Sequence, residues 1–191
     1  MFPAHPVAFW HYFDFITICT LTIVLITLMK AHHKRTGSLL SSISETVAYS
    51  KTSSVIFSLT MTILFPLYYA FVWFWVLPLI QAPEWIYYLL LFSALCEMVF
   101  VWAPATVGRS KRIHGAMVSI VVVAMYALTL LILLHGVNVG IAARISLSLS
   151  LACPFLIGML MIIKKFRKYT FLYEVTCSVA FLVSISLVGH T

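Results

Sequence analysis

Of 191 residues, 63% are hydrophobic and only 9% charged, which is more apolar surface than a soluble core of this size can hide, so lipid must cover the rest. The formal charge of +7 does not mark a nucleic-acid binder, because the basic residues fall in short clusters between long apolar runs and not on one soluble face. They read instead as topology signals and as contacts to anionic lipid head groups.

A hydrocarbon core of about 30 Å needs roughly 20 apolar helical residues. Six runs meet that length: Phe9 to Met29, Val55 to Leu79, Trp85 to Ala103, Ile113 to Leu134, Ile141 to Ile163 and Thr170 to Val188. The expected fold is all-α, a polytopic bundle of six transmembrane helices forming one integral membrane domain. The first residues lack a basic stretch and a small-residue cleavage site, so the first run reads as a span and not as a signal peptide. Eleven of the twelve Lys and Arg lie in the first, third and fifth connections, which predicts that this side is cytoplasmic and that both termini are extracytoplasmic. A plasma-membrane, inner-membrane or endoplasmic-reticulum type of insertion follows, not an outer-membrane barrel.

Span 1 opens with Phe9, Trp10, His11 and Tyr12, a group suited to the outer interface, and carries Asp14 about one turn deeper with Thr17 on the same face. In the long first connection Leu39, Leu40, Ile43 and Val47 recur at near-helical spacing. That pattern fits a short helix lying at the interface; a disordered loop is the alternative. Span 2 holds Pro66, expected to bend the helix in mid-membrane, and an aromatic outer half of Tyr68, Tyr69, Trp73, Phe74 and Trp75. These aromatics fit either interfacial anchoring or a ligand pocket. Gln81 to Glu84 form a tight outer turn in which Pro83 suits a first helical turn and Glu84 complements the helix dipole.

Span 3 contributes Glu97, about 18 Å below Trp85 and so past the midplane. A charge there costs about 2.5–3.5 kcal/mol on insertion scales, so an acid so placed faces protein, a cavity or a partner. It leads into Trp102, Pro104 and a basic turn containing Arg109, Lys111, Arg112 and His114. Span 4 ends near His135. Span 5 carries Arg144 one turn inside, the only basic residue on the outer side, at the depth expected for Asp14; a pairing satisfies both. Pro154 follows near its middle. Glu174 lies just inside span 6, within reach of Lys164, Arg167 or Lys168, where a helix-start salt bridge is the plainer reading.

Two polar layers are therefore expected. The outer joins Asp14 and Arg144, with Glu84 and His135 nearby; the inner joins Glu97 and Glu174 with His114 and the basic turns. Layers of this kind serve as the two gates of a permeation route or as clips that hold a bundle together. Prolines at 66 and 154 favour a cavity.

Catalytic chemistry finds less support. His5, His11, His135 and His190 fall on one side and His32, His33 and His114 on the other, so a metal site would be confined to His32, His33, His114 and Glu97. No GxSxG, HExxH or phosphate-cradling glycine loop is present. Cys19, Cys96, Cys153 and Cys177 each lie inside an apolar run without CxxC spacing and read as small hydrophobes.

The segments SSISETVAYSKTSSVIF (Ser41 to Phe57) and VFVWAPATVGRSKRIHG (Val99 to Gly115) resemble small polytopic families related to the fibroblast-growth-factor-receptor-activating and damage-regulated autophagy modulator proteins, and a neighbouring bacterial family of unknown function. The resemblance rests on Ile43, Ser44 and Glu45 before span 2, and on Pro104 and His114 around the start of span 4. It departs from the eukaryotic members in placing the loop before span 2 in the cytoplasm. What it implies is a role in membrane-lipid handling or regulation, not a defined reaction.

The first functional expectation is a small transporter or lipid-interacting protein with a polar intramembrane cavity drawing on Glu97, Arg144, Asp14, Glu174 and His114. An accessory subunit of a larger membrane complex is the alternative, and an intramembrane enzyme stands third. Partners are membrane lipids, other membrane subunits or further copies of the chain, with no nucleic acid; no cofactor is specified.

Overall fold

In lipid, a backbone can satisfy its own hydrogen bonds only as a helix or a closed barrel, and this chain takes the first solution. The computed structural model describes residues 7–36, 43–48, 50–103, 109–136, 139–163, 166 and 169–190, without side chains at 7–11, 36, 44, 45, 109–111, 161, 170 and 171. In order the elements are α1 (Val7–Thr36), α2 (Ile43–Ala48), α3 (Lys51–Phe71), a π-helical stretch (Val72–Val76), α4 (Leu77–Leu79), α5 (Glu84–Trp102), α6 (Arg109–His135), α7 (Ile141–Ile162) and α8 (Thr170–Gly189). The π-stretch joins α3 and α4 into one rod, so six stretches among the described residues are long and apolar enough to cross a membrane. The chain is a multi-pass membrane protein.

Each spanning helix packs on its neighbours in sequence, and α8 closes back on α1, giving a ring of alternating up and down helices. Its centre is filled by Met61, Tyr68, Phe71, Leu77, Ile132, Leu147, Ile185 and Val188, all essentially inaccessible. The helices outrun the apolar runs where polar residues can still serve them. α1 continues through His33, Lys34 and Arg35, and the lysine and arginine charges complement the negative end of its dipole. Ser50 caps α3, its hydroxyl accepting from the Ser53 N–H at 3.1 Å.

α2 is formed, and it does more than lie along the interface. Thr46 and Val47 are buried, and the helix packs against α1, α3 and α8 at the end of the bundle where the basic connections lie. Leu39 and Leu40 lie outside the described residues, as do Pro104, Lys164, Lys165, Arg167, Lys168 and the Phe9, Trp10, His11 and Glu45 side chains.

The prolines do not interrupt the helices. α3 runs on through Pro66 and α7 through Pro154. The backbone departs from α geometry six residues after Pro66, where Leu77 N–H bonds Val72 O across five residues. The rod then ends in a Schellman arrangement, with Ala82 N–H bonded to Leu77 O at 2.9 Å and Gln81 N–H to Pro78 O at 3.1 Å. This cap requires a left-handed residue, and Gln81 supplies it at φ 52°.

Candidate functional site

Among the described residues two carboxyls are buried in the bundle, and each has one oxygen without a hydrogen-bond partner: Glu97 Oε2 and Asp14 Oδ1. Glu97 comes from the half of α5 nearer the basic end. The Tyr69 hydroxyl of α3 lies beside its carboxyl. The same hydroxyl meets Ser93 Oγ, one turn from Glu97, at 3.1 Å. Ser93, Tyr69 and Glu97 therefore form a short polar chain between two helices, with an unfilled acceptor at its end. Ser93 also borders a cavity of about 10 Å³ lined by Ile86, Leu90, Ala124, Met125 and Leu128. That is room for about one water.

The packing of α3 on α5 holds this chain in place. Ser58 Oγ donates to Val101 O at 2.7 Å, and Trp102 Nε1 donates to Thr62 Oγ1 at 3.0 Å, so the helices are tied just beyond Glu97. His114 fastens the next turn: its Nδ1 lies 2.8 Å from Ala103 O and 3.1 Å from Phe100 O. Carbonyls only accept, so Nδ1 carries the hydrogen in this arrangement. The Phe100 ring meets the imidazole edge-on at 5.5 Å. His114 thus closes the carbonyl end of α5.

Asp14 takes partners that the sequence pattern did not suggest. Its Oδ2 accepts from the Ser186 hydroxyl of α8 and lies 2.9 Å from His190 Nε2, just past that helix. The expected pairing with Arg144 is replaced. Arg144 folds back along the α6–α7 connection, donating from Nε to Val139 O at 3.0 Å and from its guanidinium to Gly136 O at 2.7 Å. It satisfies backbone carbonyls at a helix junction, a task for which a forked donor is well shaped. The outer layer is thus two separate devices.

At the basic end, Glu174 accepts from the Ile43 N–H at 2.7 Å. A carboxylate at a helix N-terminus satisfies an orphan donor and complements the dipole, so Glu174 ties α2 to α8. Its expected basic partners lie outside the described residues. Glu97, Glu174 and His114 each hold different partners, and the inner layer is likewise distributed. Among the described residues no three His, Cys, Asp or Glu side chains converge as metal ligands.

Tyr68 is buried at the centre of the bundle, where its hydroxyl donates to Leu182 O of α8 at 2.8 Å. Ser93 and Ser186 were missed from the sequence, and Tyr69 and His190 were singled out only as an aromatic of span 2 and an outer histidine, not as neighbours of these acids. One signal for Tyr69 existed: it lies twelve residues before Gln81, and Glu97 thirteen after Glu84. Across an antiparallel hairpin, those nearly equal counts place both at about 18–20 Å from the turn. No comparable signal pointed to Ser186 and His190, because only the closure of α8 on α1 brings them to Asp14.

The chain matches no protein-family model, no curated protein and no solved structure.

Proposed function

We propose that this membrane protein is a small proton- or cation-coupled transporter, with Glu97 as the group that binds and releases the cation. The observation that carries the reading is the buried Glu97 carboxyl with an unpartnered oxygen at the end of the Ser93–Tyr69 chain. An orphaned buried acceptor costs about 1–3 kcal/mol, so its retention in an apolar core favours a working group over a structural clip. The cavity beside Ser93 has room for about one water and none for a bulky solute in this conformation. The basic end faces the cytoplasm and both termini face out, by the distribution of Lys and Arg. A role in handling membrane lipid, implied by the resemblance around Ile43 and His114, is compatible with the same site.

A second reading, accessory subunit of a membrane complex, is favoured by α7. Only 17% of its span is buried, against 28% or more in each of the other five. Ile141, Ile145, Leu149, Phe155 and Met159 leave a broad apolar face for lipid or for a partner. An intact-complex mass spectrum after gentle extraction from the native membrane separates the two. A lone chain or homo-oligomer supports the transporter; a stoichiometric load of other polypeptides overturns it in favour of the subunit.

A further inference from the structure

Cys153 of α7 and Cys177 of α8 face each other with their sulfurs 3.4 Å apart. Both are free thiols. Their opposition is a matter of helix register and not of a chance rotamer. Ser146 and Ser184 bond across the same seam at 2.7 Å, and the thiols lie seven residues further along α7 and seven back along α8. Seven residues are two helical turns, so antiparallel register places both pairs on one line. Tyr126 of α6 steadies this part of α7 through its hydroxyl, which donates to Leu151 O at 3.3 Å, and through an edge-on contact with Phe155.

We propose that Cys153 and Cys177 form a modification site: a dithiol that a lipid-soluble quinone closes to an intramolecular disulfide. The sulfurs lie about 14 Å and about 10 Å from the basic ends of their helices, inside the hydrocarbon. They are half-buried, and Ala152, Phe155 and Leu156 on one helix and Thr176 and Ser178 on the other are exposed to lipid around them. An oxidant reaching them therefore arrives through the bilayer.

In the step, two S–H bonds break and one S–S bond forms. The two electrons and two protons pass to the quinone, which leaves as the hydroquinone. Closure brings the sulfurs from 3.4 Å to about 2.05 Å. Pro154, next to Cys153, removes the N–H that would hold Ser150 O, so α7 resists that small movement less than an uninterrupted helix would. The product staples α7, the least buried span, to α8.

The test uses the full chain in lipid vesicles and a fully substituted short-chain benzoquinone, which offers no ring position for thiol addition. After treatment, denaturation and maleimide labelling, two of the four thiols should be protected and then recovered with reductant. Non-reducing peptide mapping should find Cys153 joined to Cys177. Cys153→Ser and Cys177→Ser should each abolish the protection. Thiols that stay reactive, a link through Cys19 or Cys96, a link between chains, or equal protection in the single variants would overturn the assignment.

Discussion

Among the described residues Asp14 and Glu97 are the carboxyls that the bundle buries, and their surroundings divide their roles. Asp14 holds two side-chain partners, Ser186 on α8 and His190 just past it, and anchors the last helix to the first. Asp14→Ala should therefore lower stability by about 1–3 kcal/mol, because the Ser186 hydroxyl loses its acceptor inside the protein. His190→Ala should cost less, since the imidazole is 42% exposed and water can replace its bond. Thermal unfolding in detergent distinguishes the two, and equal losses would contradict the anchoring role. Gln81 gives a prediction of opposite sign. With φ at 52° it occupies a cap position that glycine enters without strain, so Gln81→Gly should raise stability by about 0.5–1 kcal/mol. Glu97 was legible in the sequence because an acid within an apolar run is conspicuous by its cost. Tyr69 was not, because a tyrosine in such a run reads equally well as an interfacial anchor.

Between residues and fold, the π-stretch is the element that organises the bundle's closure. The extra residue in its turn moves Trp75 towards α8, where Nε1 donates to Gly189 O at 2.6 Å. Gly189 allows the approach: a Cβ there would collide with the Phe71 ring and lie 3.1 Å from Trp75 Cδ1. Gly189→Val should accordingly destabilise by about 1–3 kcal/mol through overpacking, whereas Gly158→Ala should be tolerated, because nothing lies within 4 Å of a Cβ at that position. Comparable unfolding temperatures for the two variants would refute the close contact. The sequence pointed to Pro66 as the irregular site, reasoning correctly that proline removes a hydrogen bond. The departure falls instead at Val72–Val76, since aromatic packing against α8 is decided by tertiary neighbours and not by local propensity. The amphipathic pattern around Ile43 and Val47 did indicate α2, but its bond to Glu174 joins segments 131 residues apart and has no local signature.

At the scale of the whole molecule, apolar run length and the positions of the basic clusters carried the reading, since the bilayer sets both constraints independently of detailed packing. They gave the six spanning helices. What they could not give is ring order: Arg144 and Asp14 share an estimated depth, but depth says nothing about which helices are neighbours. Labelling of single cysteines placed at Lys34 and at Glu84 with a membrane-impermeant maleimide in sealed cells should mark the second and spare the first; the reverse would invert the proposed orientation.

The most direct test of the Glu97 site is proton uptake into vesicles reconstituted with the purified protein and filled with a pH-sensitive dye, comparing wild type with Glu97→Gln. The substitution preserves size and removes the titratable group. The account predicts that wild-type vesicles dissipate an imposed proton gradient, alone or with a co-transported cation, while Glu97→Gln vesicles behave as protein-free ones and the variant unfolds at an unchanged temperature. Equal dissipation by both proteins, or a variant that loses activity only because it no longer folds, would contradict it and leave Glu97 as part of the packing between α3 and α5.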